Sequence, residues 1–450
     1  MDMSNKVAGI ATASLCPLCL ERIPAEQRRD GDDLFLEKRC PEHGKFTTLI
    51  WRGGPDPAGW SRPKAVVRAP SPHQGASRGC PFDCGICSEH LQQSCTVLIE
   101  VTSRCNLSCP FCFAGSGTGG TSDPSLDDLA ARFRTALEKS GPHNIVQLSG
   151  GEPTMRDDLP EIIAMGRDIG FPFIQLNTNG IRLAEDPACA AELRRAGLFS
   201  VFLQFDGTDD HVYRAIRGTA LLEQKLAAIE HCAAAGLGIV LVPTIVKNVN
   251  TDAIGAILKL ALKYAPAVRG VHFQPAAYFG RHPEPTAAEE RFTLPDLMRA
   301  IEQQTDGLIR ADQFIPPGCE HPFCSFHGNF LRRHDGSLKP LSMQSVDYCS
   351  GNEQENVGTG KAVSYVANQW AAPKPVSCCP TKDSLDAFLE NHRSNTFAIS
   401  AMAFQDAWSI DLERVRECCI HVAVPDGRMI PFCLYNLTST EGIPLYRNRI

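Results

Sequence analysis

The sequence predicts an α/β protein with a parallel sheet, preceded by a small metal-binding module and followed by an α+β region. Three observations support this fold class. Strands alternate with helical segments between residues 96 and about 282, a cysteine motif follows the first strand, and two short pairs of metal-ligand residues lie near the N-terminus. Such alternation is typical of βαβ units, whose strands run parallel. We therefore divide the 450-residue chain into four parts, residues 1–54, 55–95, 96–290 and 291–450.

The first 54 residues are predicted to be a metal-knuckle module, similar to a rubredoxin or a zinc ribbon. Cys16 and Cys19 form one ligand pair, and Cys40 and His43 form a second, with a polar, turn-rich segment between them. Three cysteines and one histidine suit a tetrahedral structural zinc ion, and a mononuclear iron would use the same geometry. A module this small needs a metal to fold, because it buries little apolar surface. A surface histidine is the alternative interpretation of His43.

Residues 55–95 are rich in Pro, Gly and Arg, and this composition predicts a linker. A C-x3-C-x2-C motif near its end, CPFDCGIC, contains Cys80, Cys84 and Cys87. Cys95 lies near this motif but outside its spacing, and we treat it as an ordinary buried thiol.

Between residues 96 and 282, apolar strand patterns alternate with amphipathic or Ala-rich helical patterns. The candidate strands are 96–102, 145–149, 172–177, 200–205, 239–246 and 270–275, and the candidate helices are 126–139, 158–169, 187–197, 221–235 and 252–264. Six strands are too few for a closed eight-stranded barrel. Ligands of such sheets bind at the carboxyl ends of the strands.

The run CNLSCPFC begins just after the first strand of this region and contains Cys105, Cys109 and Cys112. Iron–sulfur clusters are usually held by four cysteine thiolates. Three thiolates on one tight loop can hold three irons of a [4Fe–4S] cluster and leave the fourth iron open to a cofactor or substrate. A disulfide with one free thiol, or half of a zinc site, are the alternatives.

This run resembles the signature of radical S-adenosylmethionine (SAM) enzymes, including the aromatic Phe111 before the last cysteine. The resemblance implies a partial (β/α)6 barrel and a cluster whose open iron chelates SAM. It also implies reductive cleavage of SAM to a 5′-deoxyadenosyl radical that abstracts hydrogen from an unreactive carbon. An external donor of the ferredoxin or flavodoxin type would supply the electron.

Polar motifs follow the predicted strands, where SAM would bind. Gly150, Gly151 and Glu152 follow the second strand in SGGEP and look like the GGEP motif of the family, which contacts the methionyl group of SAM. Asn179 and Gln204 follow the third and fourth strands and are the preferred hydrogen-bonding partners of SAM, although turn capping also explains them. Thr244 and Gln274 are further candidates, and His272 is at least as well explained as a core histidine.

Six cysteines are assigned to the SAM cluster and the N-terminal module, and eight patterned cysteines remain for two auxiliary [4Fe–4S] clusters. They are Cys80, Cys84, Cys87, Cys319, Cys324, Cys349, one of the pair Cys418 and Cys419, and Cys433. We favour Cys419 within the pair. The pairing of ligands with clusters does not follow from the sequence. The C-terminal stretch RECCIHVAVPDGRMIPFCLYN further predicts a helix end and two strands around an Asp-Gly turn.

The combined layout of these motifs resembles the tetraether lipid synthase (Tes) family, and related proteins act as pterin C-methyltransferases. The resemblance implies a mononuclear iron, one SAM cluster and two auxiliary clusters. It favours C–C bond formation on an unactivated sp3 carbon of a lipid chain. A pterin-like substrate for C-methylation is the first alternative, and an electron-transfer or maturation protein without SAM turnover is the second. A long apolar channel would indicate a lipid, and a compact polar pocket with aromatic side chains would indicate a pterin.

Composition limits the partners. A net charge of −7 argues against nucleic acid, because phosphate binding needs a basic surface. No apolar run reaches the length of a membrane span, and no export signal is visible, so we expect a cytoplasmic protein, with peripheral contact to a membrane left open. Twenty cysteines in such a protein indicate metal ligands rather than disulfides.

Overall fold

The computed structural model describes residues 9–62, 64, 78–117, 122–142, 144–283, 291–341, 369–372 and 394–447. Within these ranges the strands form two sheets, a four-stranded sheet at the N-terminus and a 12-stranded sheet that contains the rest.

The N-terminal sheet is an antiparallel meander. Its strands are β1 (Ile10–Leu15), β2 (Arg22–Asp30), β3 (Asp33–Cys40) and β4 (Gly44–Trp51). Residues of β2 and β3 alternate between buried and more exposed positions, so one face of the sheet is packed and the other is not. The β1–β2 and β3–β4 turns lie at the same end of the meander, because alternate strands point in the same direction. Both predicted ligand pairs lie on these turns.

The larger sheet contains the predicted parallel strands. Its members are β5 (Thr96–Thr102), β6 (Ile145–Gly150), β7 (Phe173–Thr178), β8 (Ser200–Gln204), β9 (Gly238–Val242), β10 (Thr244–Ile245), β11 (Val268–Pro275), β12 (Ser325–Arg332), β13 (Leu338–Pro340), β14 (Thr396–Met402), β15 (Ile420–Ala423) and β16 (Met429–Pro431). The strand order is β13-β12-β14-β11-β9-β8-β7-β6-β5-β15-β16, and β10 pairs with β11.

All six predicted strands are present, and the partial-barrel prediction is confirmed. The predicted strand at 239–246 is divided into β9 and β10 at Pro243, which has no N–H to donate to a neighbouring strand. The carbonyl of Pro243 still accepts a hydrogen bond from the backbone N–H of Gln274 (2.9 Å).

The C-terminal region adds two parallel strands that the alternation pattern does not predict. Strand β14 pairs in parallel with β11 at one edge, and β15 pairs in parallel with β5 at the other. Eight adjacent strands therefore run parallel, from β15 to β14. The predicted hairpin around the Asp426-Gly427 turn is also present, as β15 and β16. The domain boundaries drawn from the sequence stay predictions.

Helices connect the parallel strands. They are α1 (Leu126–Ser140), α2 (Leu159–Ile169), α3 (Ile181–Glu185), α4 (Pro187–Arg195), α5 (Asp210–Arg217), α6 (Leu222–Ala234), α7 (Ile254–Lys263), α8 (Leu294–Gln304), α9 (Leu412–Arg416) and α10 (Phe432–Asn436). The five predicted helices correspond to α1, α2, α4, α6 and α7. In α1, Ser125 and Asp128 form a capping box, and the buried face includes Leu129 and Phe133. The short helix α5 was not predicted, and it contributes to the site described below.

The N-terminal sheet is joined to the C-terminal region through buried polar contacts. Lys38, on β3, is 2% exposed. Its Nζ donates to the carbonyl oxygens of Ala407 (2.6 Å) and Leu15 (2.9 Å) and to the hydroxyl of Ser14 (3.2 Å). Because one ammonium group donates to three buried acceptors, Lys38 connects the N-terminal sheet to the C-terminal region.

We expect Lys38→Met to lower the free energy of unfolding by about 2–3 kcal/mol, because it leaves buried acceptors without a donor. Lys45→Met on the neighbouring strand should change it by less than about 0.5 kcal/mol, since the Lys45 side chain is 61% exposed and its ion pair with Glu37 is open to solvent on the lysine side. Chemical denaturation of the two metal-loaded variants measures the difference. Equal free energies of unfolding for the two variants would contradict a stabilising role of Lys38 between the two regions.

Candidate active site

Three cysteines on the loop after β5 line a cavity of about 490 Å³ that extends from the carboxyl ends of the parallel strands toward their amino ends. They are Cys105, Cys109 and Cys112. Arg281 follows β11, which is not a neighbour of β5 in the strand order, and it holds this loop in place. Its Nε donates to the carbonyl of Cys109 (2.7 Å), and its backbone exchanges two hydrogen bonds with Cys112 (2.8 and 3.0 Å). The loop is therefore fixed at its second and third cysteines.

The two glycines after β6 allow this loop to approach closely. A Cβ atom on Gly150 would lie 2.2 Å from the carbonyl oxygen of Thr102, and one on Gly151 would lie 2.1 Å from that of Arg104. Gly150 also has a φ of +121°, which disfavours other residues. The backbone N–H of Gly151 donates to Thr102 (2.8 Å). The glycine pair thus sets the distance between the cysteine loop and β6.

The carboxylate of Glu152 lines the cavity and is bonded on both oxygens to the protein. Oε1 accepts from the hydroxyls of Thr154 (2.6 Å) and Thr178 (2.7 Å), and Oε2 accepts from the backbone N–H of Asn179 (2.7 Å). Glu152 is 1% exposed. These contacts link the loops after β6 and β7, so Glu152 acts as a positioning residue.

The other predicted SAM-contacting residues, Asn179, Gln204 and Thr244, also line the cavity. Asn179 Nδ2 donates to Asn106 Oδ1 on the cysteine loop (2.7 Å). The ammonium of Lys225, on α6, donates to Gln204 Oε1 (2.8 Å) and to the carbonyl of Asn179. Lys225 is fully buried, and it holds two candidate residues that come from different strands.

Arg217, at the end of α5, connects the cysteine loop to the sheet. Its guanidinium makes a bidentate pair with the buried carboxylate of Asp206 (2.6 and 2.9 Å) and donates to Thr244 Oγ1 (3.0 Å) and to the carbonyl of Phe111 (3.2 Å). Burial raises the pKa of the Cys109 thiol, and the nearby Arg217 opposes that rise. Arg217 therefore favours the thiolate form that binds iron.

Sequence patterns did not indicate Arg217, Arg281 or Lys225. Asp206, the ion-pair partner of Arg217, does belong to a recognisable run, QFDG, at the end of the fourth strand. Arg217 ends a helix of eight residues that periodicity did not reveal. No local pattern distinguishes Arg281 or Lys225 from surface cations. The burial of Lys225 and the contacts of Arg281 with the cysteine loop reveal them.

Farther from the cysteine loop, polar side chains of β6, β7 and β11 line the cavity. Gln147 Nε2 donates to Gln175 Oε1 (2.6 Å), and Asn177, on the same strand as Gln175, has a buried Oδ1 without a partner among the described residues. His272 Nδ1 pairs with the hydroxyl of Ser400 (2.8 Å). Burial lowers the pKa of His272 to about 4, so the imidazole is neutral at pH 7.

Aromatic rings accompany these polar groups. The Phe202 ring lies 5.0 Å from that of Trp370 and 5.6 Å from that of His272, and all three line the cavity. The segment that carries Trp370 packs tightly on Gly238 at the start of β9, where a Cβ atom would lie 2.0 Å from the Trp370 carbonyl oxygen. Trp370 thus lies toward the amino ends of the strands, opposite the cysteine loop.

At the N-terminus, the structure brings together all four predicted donors, Cys16, Cys19, Cys40 and His43. Their ligand atoms lie within 4.8 Å of one another. His43 Nδ1 is 3.4 Å from Cys40 Sγ and 3.6 Å from Cys16 Sγ. A Cys3His set at these separations fits a tetrahedral metal ion.

The predicted auxiliary ligands fall into different surroundings. Cys80, Cys84 and Cys87 lie on a loop that Tyr446 holds, since its hydroxyl accepts from the backbone N–H of Cys84 (2.9 Å). Cys324 Sγ accepts from Arg414 (3.5 Å), and Cys433 Sγ accepts from the backbone N–H of Gln405 (3.3 Å). Cys319 and Cys419 line the cavity, whereas Cys349 lies outside the described residues.

Two family profiles match the chain. Residues 99–261 match the profile described as "Radical SAM superfamily", and residues 11–52 match the "HMPTM N-terminal zinc ribbon domain".

Individual proteins are similar as well. The chain is 34% identical to a 7,8-dihydro-6-hydroxymethylpterin dimethyltransferase of Methanocaldococcus jannaschii, over 96% of this chain and 94% of that protein. It is 36% identical to a probable GTP 3′,8-cyclase of Methanothermobacter marburgensis over 33% of this chain and 47% of that protein. Among solved structures, SuiB of Streptococcus suis bound to the precursor peptide SuiA gives a TM-score of 0.40 and 16% identity, covering 48% of this chain and 46% of that chain. Among the described residues, no helix is both long and apolar enough to cross a membrane.

We expect Arg217→Met to lower the free energy of unfolding by about 3 kcal/mol, because the buried carboxylate of Asp206 loses its bidentate ion-pair partner. The variant should also hold less iron at the cluster on the cysteine loop. Anaerobic denaturation and the electron paramagnetic resonance (EPR) signal of the reduced cluster measure the two effects. Arg214→Met, on the exposed face of the same helix, is the matched control. A wild-type signal in Arg217→Met would contradict a role at the cluster loop.

Proposed function

The chain belongs to the radical SAM superfamily, in the group of the 7,8-dihydro-6-hydroxymethylpterin dimethyltransferase, and we propose that it methylates a carbon of a pterin-like heterocycle. It is a SAM-dependent enzyme with a [4Fe–4S] cofactor, which argues against an electron-transfer protein without SAM turnover. The observation that carries the choice of substrate is the 34% identity to that dimethyltransferase over nearly the full length of both chains. It favours C-methylation of a pterin over C–C bond formation on a lipid chain, which the motif layout alone favours.

The donor set on the loop after β5 fits the cluster. Cys105, Cys109 and Cys112 are three sulfur donors on one wall of the cavity, and Gly150 and Gly151 let the neighbouring backbone approach. When bound there, the cluster supplies the electron that cleaves SAM and starts radical chemistry on the substrate.

The protein residues bind and orient the reactants. Asn179, Gln204 and Thr244 present polar groups toward the cavity, and Lys225, Asp206 and Arg217 hold them through buried hydrogen bonds. Side chains held in this way cost little reorganisation when SAM binds. Such a site also keeps water away from reactive species.

The deeper part of the cavity supports a heterocyclic substrate. A pterin has donor and acceptor atoms around a flat ring, and the cavity offers amide groups of Gln147 and Asn177 beside the rings of Phe202 and Trp370. The unpaired Oδ1 of Asn177 is suited to accept a hydrogen bond from a ring amino group. An alkyl chain would leave that acceptor unpaired.

Anaerobically reconstituted protein should convert 7,8-dihydro-6-hydroxymethylpterin into a product heavier by one or more methyl groups. Dithionite supplies the electron, one SAM is cleaved to methionine and 5′-deoxyadenosine, and a second SAM supplies each methyl group and leaves as S-adenosylhomocysteine. Mass spectrometry detects the product, and 5′-deoxyadenosine should accumulate with it. Cys109→Ala is the control that lacks the SAM cluster. If only a lipid extract is modified and the pterin is recovered unchanged, the proposed substrate class is wrong.

Asn177→Leu removes the unpaired acceptor at nearly constant volume, and we expect it to weaken pterin binding about tenfold, the effect of one lost hydrogen bond. Cleavage of SAM without substrate should continue at the wild-type rate, because the Asn177 amide donates to Gln147 Oε1 (3.5 Å) on the neighbouring strand rather than to the cysteine loop. Equilibrium binding of the dihydropterin, followed by its fluorescence, tests this. Unchanged affinity would remove Asn177 from the substrate site.

A further inference from the structure

Cys95, which the sequence analysis treats as an ordinary thiol, lies beside Cys419. The two residues precede β5 and β15, which pair in parallel with Thr96 opposite Ile420. The backbone N–H of Cys95 donates to the carbonyl of Cys419 (2.8 Å), and the two Sγ atoms are 3.1 Å apart. These residues are 324 positions apart in the sequence, so only the sheet brings them together.

A third cysteine and a carboxylate lie near this pair, since Cys319 and Glu320 are both within electrostatic range of the Cys419 thiol. Cys319 and Glu320, from the loop before β12, line the cavity together with Cys95 and Cys419. Glu320 Oε2 lies 3.5 Å from Cys419 Sγ, and its Oε1 accepts from the hydroxyl of Ser325 (2.5 Å). Three separate segments thus bring sulfur and oxygen donors to the surroundings of Cys419.

Other cysteines of the chain show what an ordinary buried thiol looks like here. Cys189 and Cys232 lie on α4 and α6 within the main apolar core. Neither lines the cavity. Cys95 differs from them in both respects, because it lies outside the main apolar core and lines the cavity. It also contacts a second sulfur, that of Cys419.

We propose that Cys95, Cys319 and Cys419 are thiolate ligands of one auxiliary iron–sulfur cluster, which faces the cavity with the Glu320 carboxylate beside it. Clusters of this kind are held by cysteine thiolates. Sulfur atoms in direct contact leave no space for iron between them, so binding requires the Cys95 and Cys419 side chains to rotate apart. Cys95 is half-buried and borders the cavity, which gives its side chain room to turn. This assignment concerns the chain's own ligands and holds whichever substrate the enzyme uses.

The test compares Cys95→Ala and Cys95→Ser with the wild-type chain after anaerobic reconstitution without substrate. Iron and acid-labile sulfide are counted per chain, and EPR spectra are recorded after reduction. We expect Cys95→Ala to lose up to about four irons, the content of one cluster. Cys95→Ser, which offers oxygen in place of sulfur, should shift one auxiliary signal. Cys232→Ala is the matched control and should keep the iron content and the spectrum of the wild type.

A separate readout shows that the variants are folded. Addition of SAM should perturb the EPR signal of the SAM cluster in Cys95→Ala and Cys95→Ser as it does in the wild type. If Cys95→Ala does not fold, Cys95→Ser decides the outcome.

Two results would overturn the assignment. One is a wild-type iron count and spectrum in a folded Cys95 variant. The other is a Cys95–Cys419 disulfide in anaerobically isolated wild-type protein, detected by thiol titration and peptide mapping. Failure of pterin methylation would leave these results unaffected, because no substrate is present.

Discussion

The site depends on a close backbone contact between the loop after β5 and the glycine pair after β6. Parallel strands place their carboxyl ends at one edge, but a shared edge does not by itself bring a cysteine loop against its neighbour. A Cβ atom at Gly150 or Gly151 would lie 2.2 or 2.1 Å from the Thr102 or Arg104 carbonyl oxygen, so the backbone would have to move apart. Three cysteines, a buried glutamate and two amide residues owe their relative positions to this contact.

Buried charges keep that arrangement in place. Arg217 joins the cysteine loop to Asp206 and Thr244, and Lys225 joins the loops after β7 and β8. Breaking a buried pair is costly because the remaining charge is left without a partner. The polar groups around the cavity are therefore held before SAM binds, which suits an enzyme that has to orient a cofactor and a substrate together.

The C-terminal region shares the cavity with the barrel. Its strands β14 and β15 extend the parallel sheet at both edges, and Ser400, Cys319 and Cys419 reach the cavity from it. The N-terminal sheet packs on the same region through Lys38. The N-terminal sheet and the barrel are thus joined through the C-terminal region, which is distant from both in the sequence.

The sequence by itself determined the α/β class, six strands, five helices, the cysteine loop and the donors of the N-terminal metal site. These features follow from local spacing, since periodicity and short ligand intervals are properties of neighbouring residues. Only the tertiary structure decided that β14 and β15 complete the sheet, that Arg217 reaches Cys109, and that Cys95 meets Cys419. Each of these contacts joins segments distant in the chain, and their proximity results from strand pairing and burial, which leave no pattern in the local sequence.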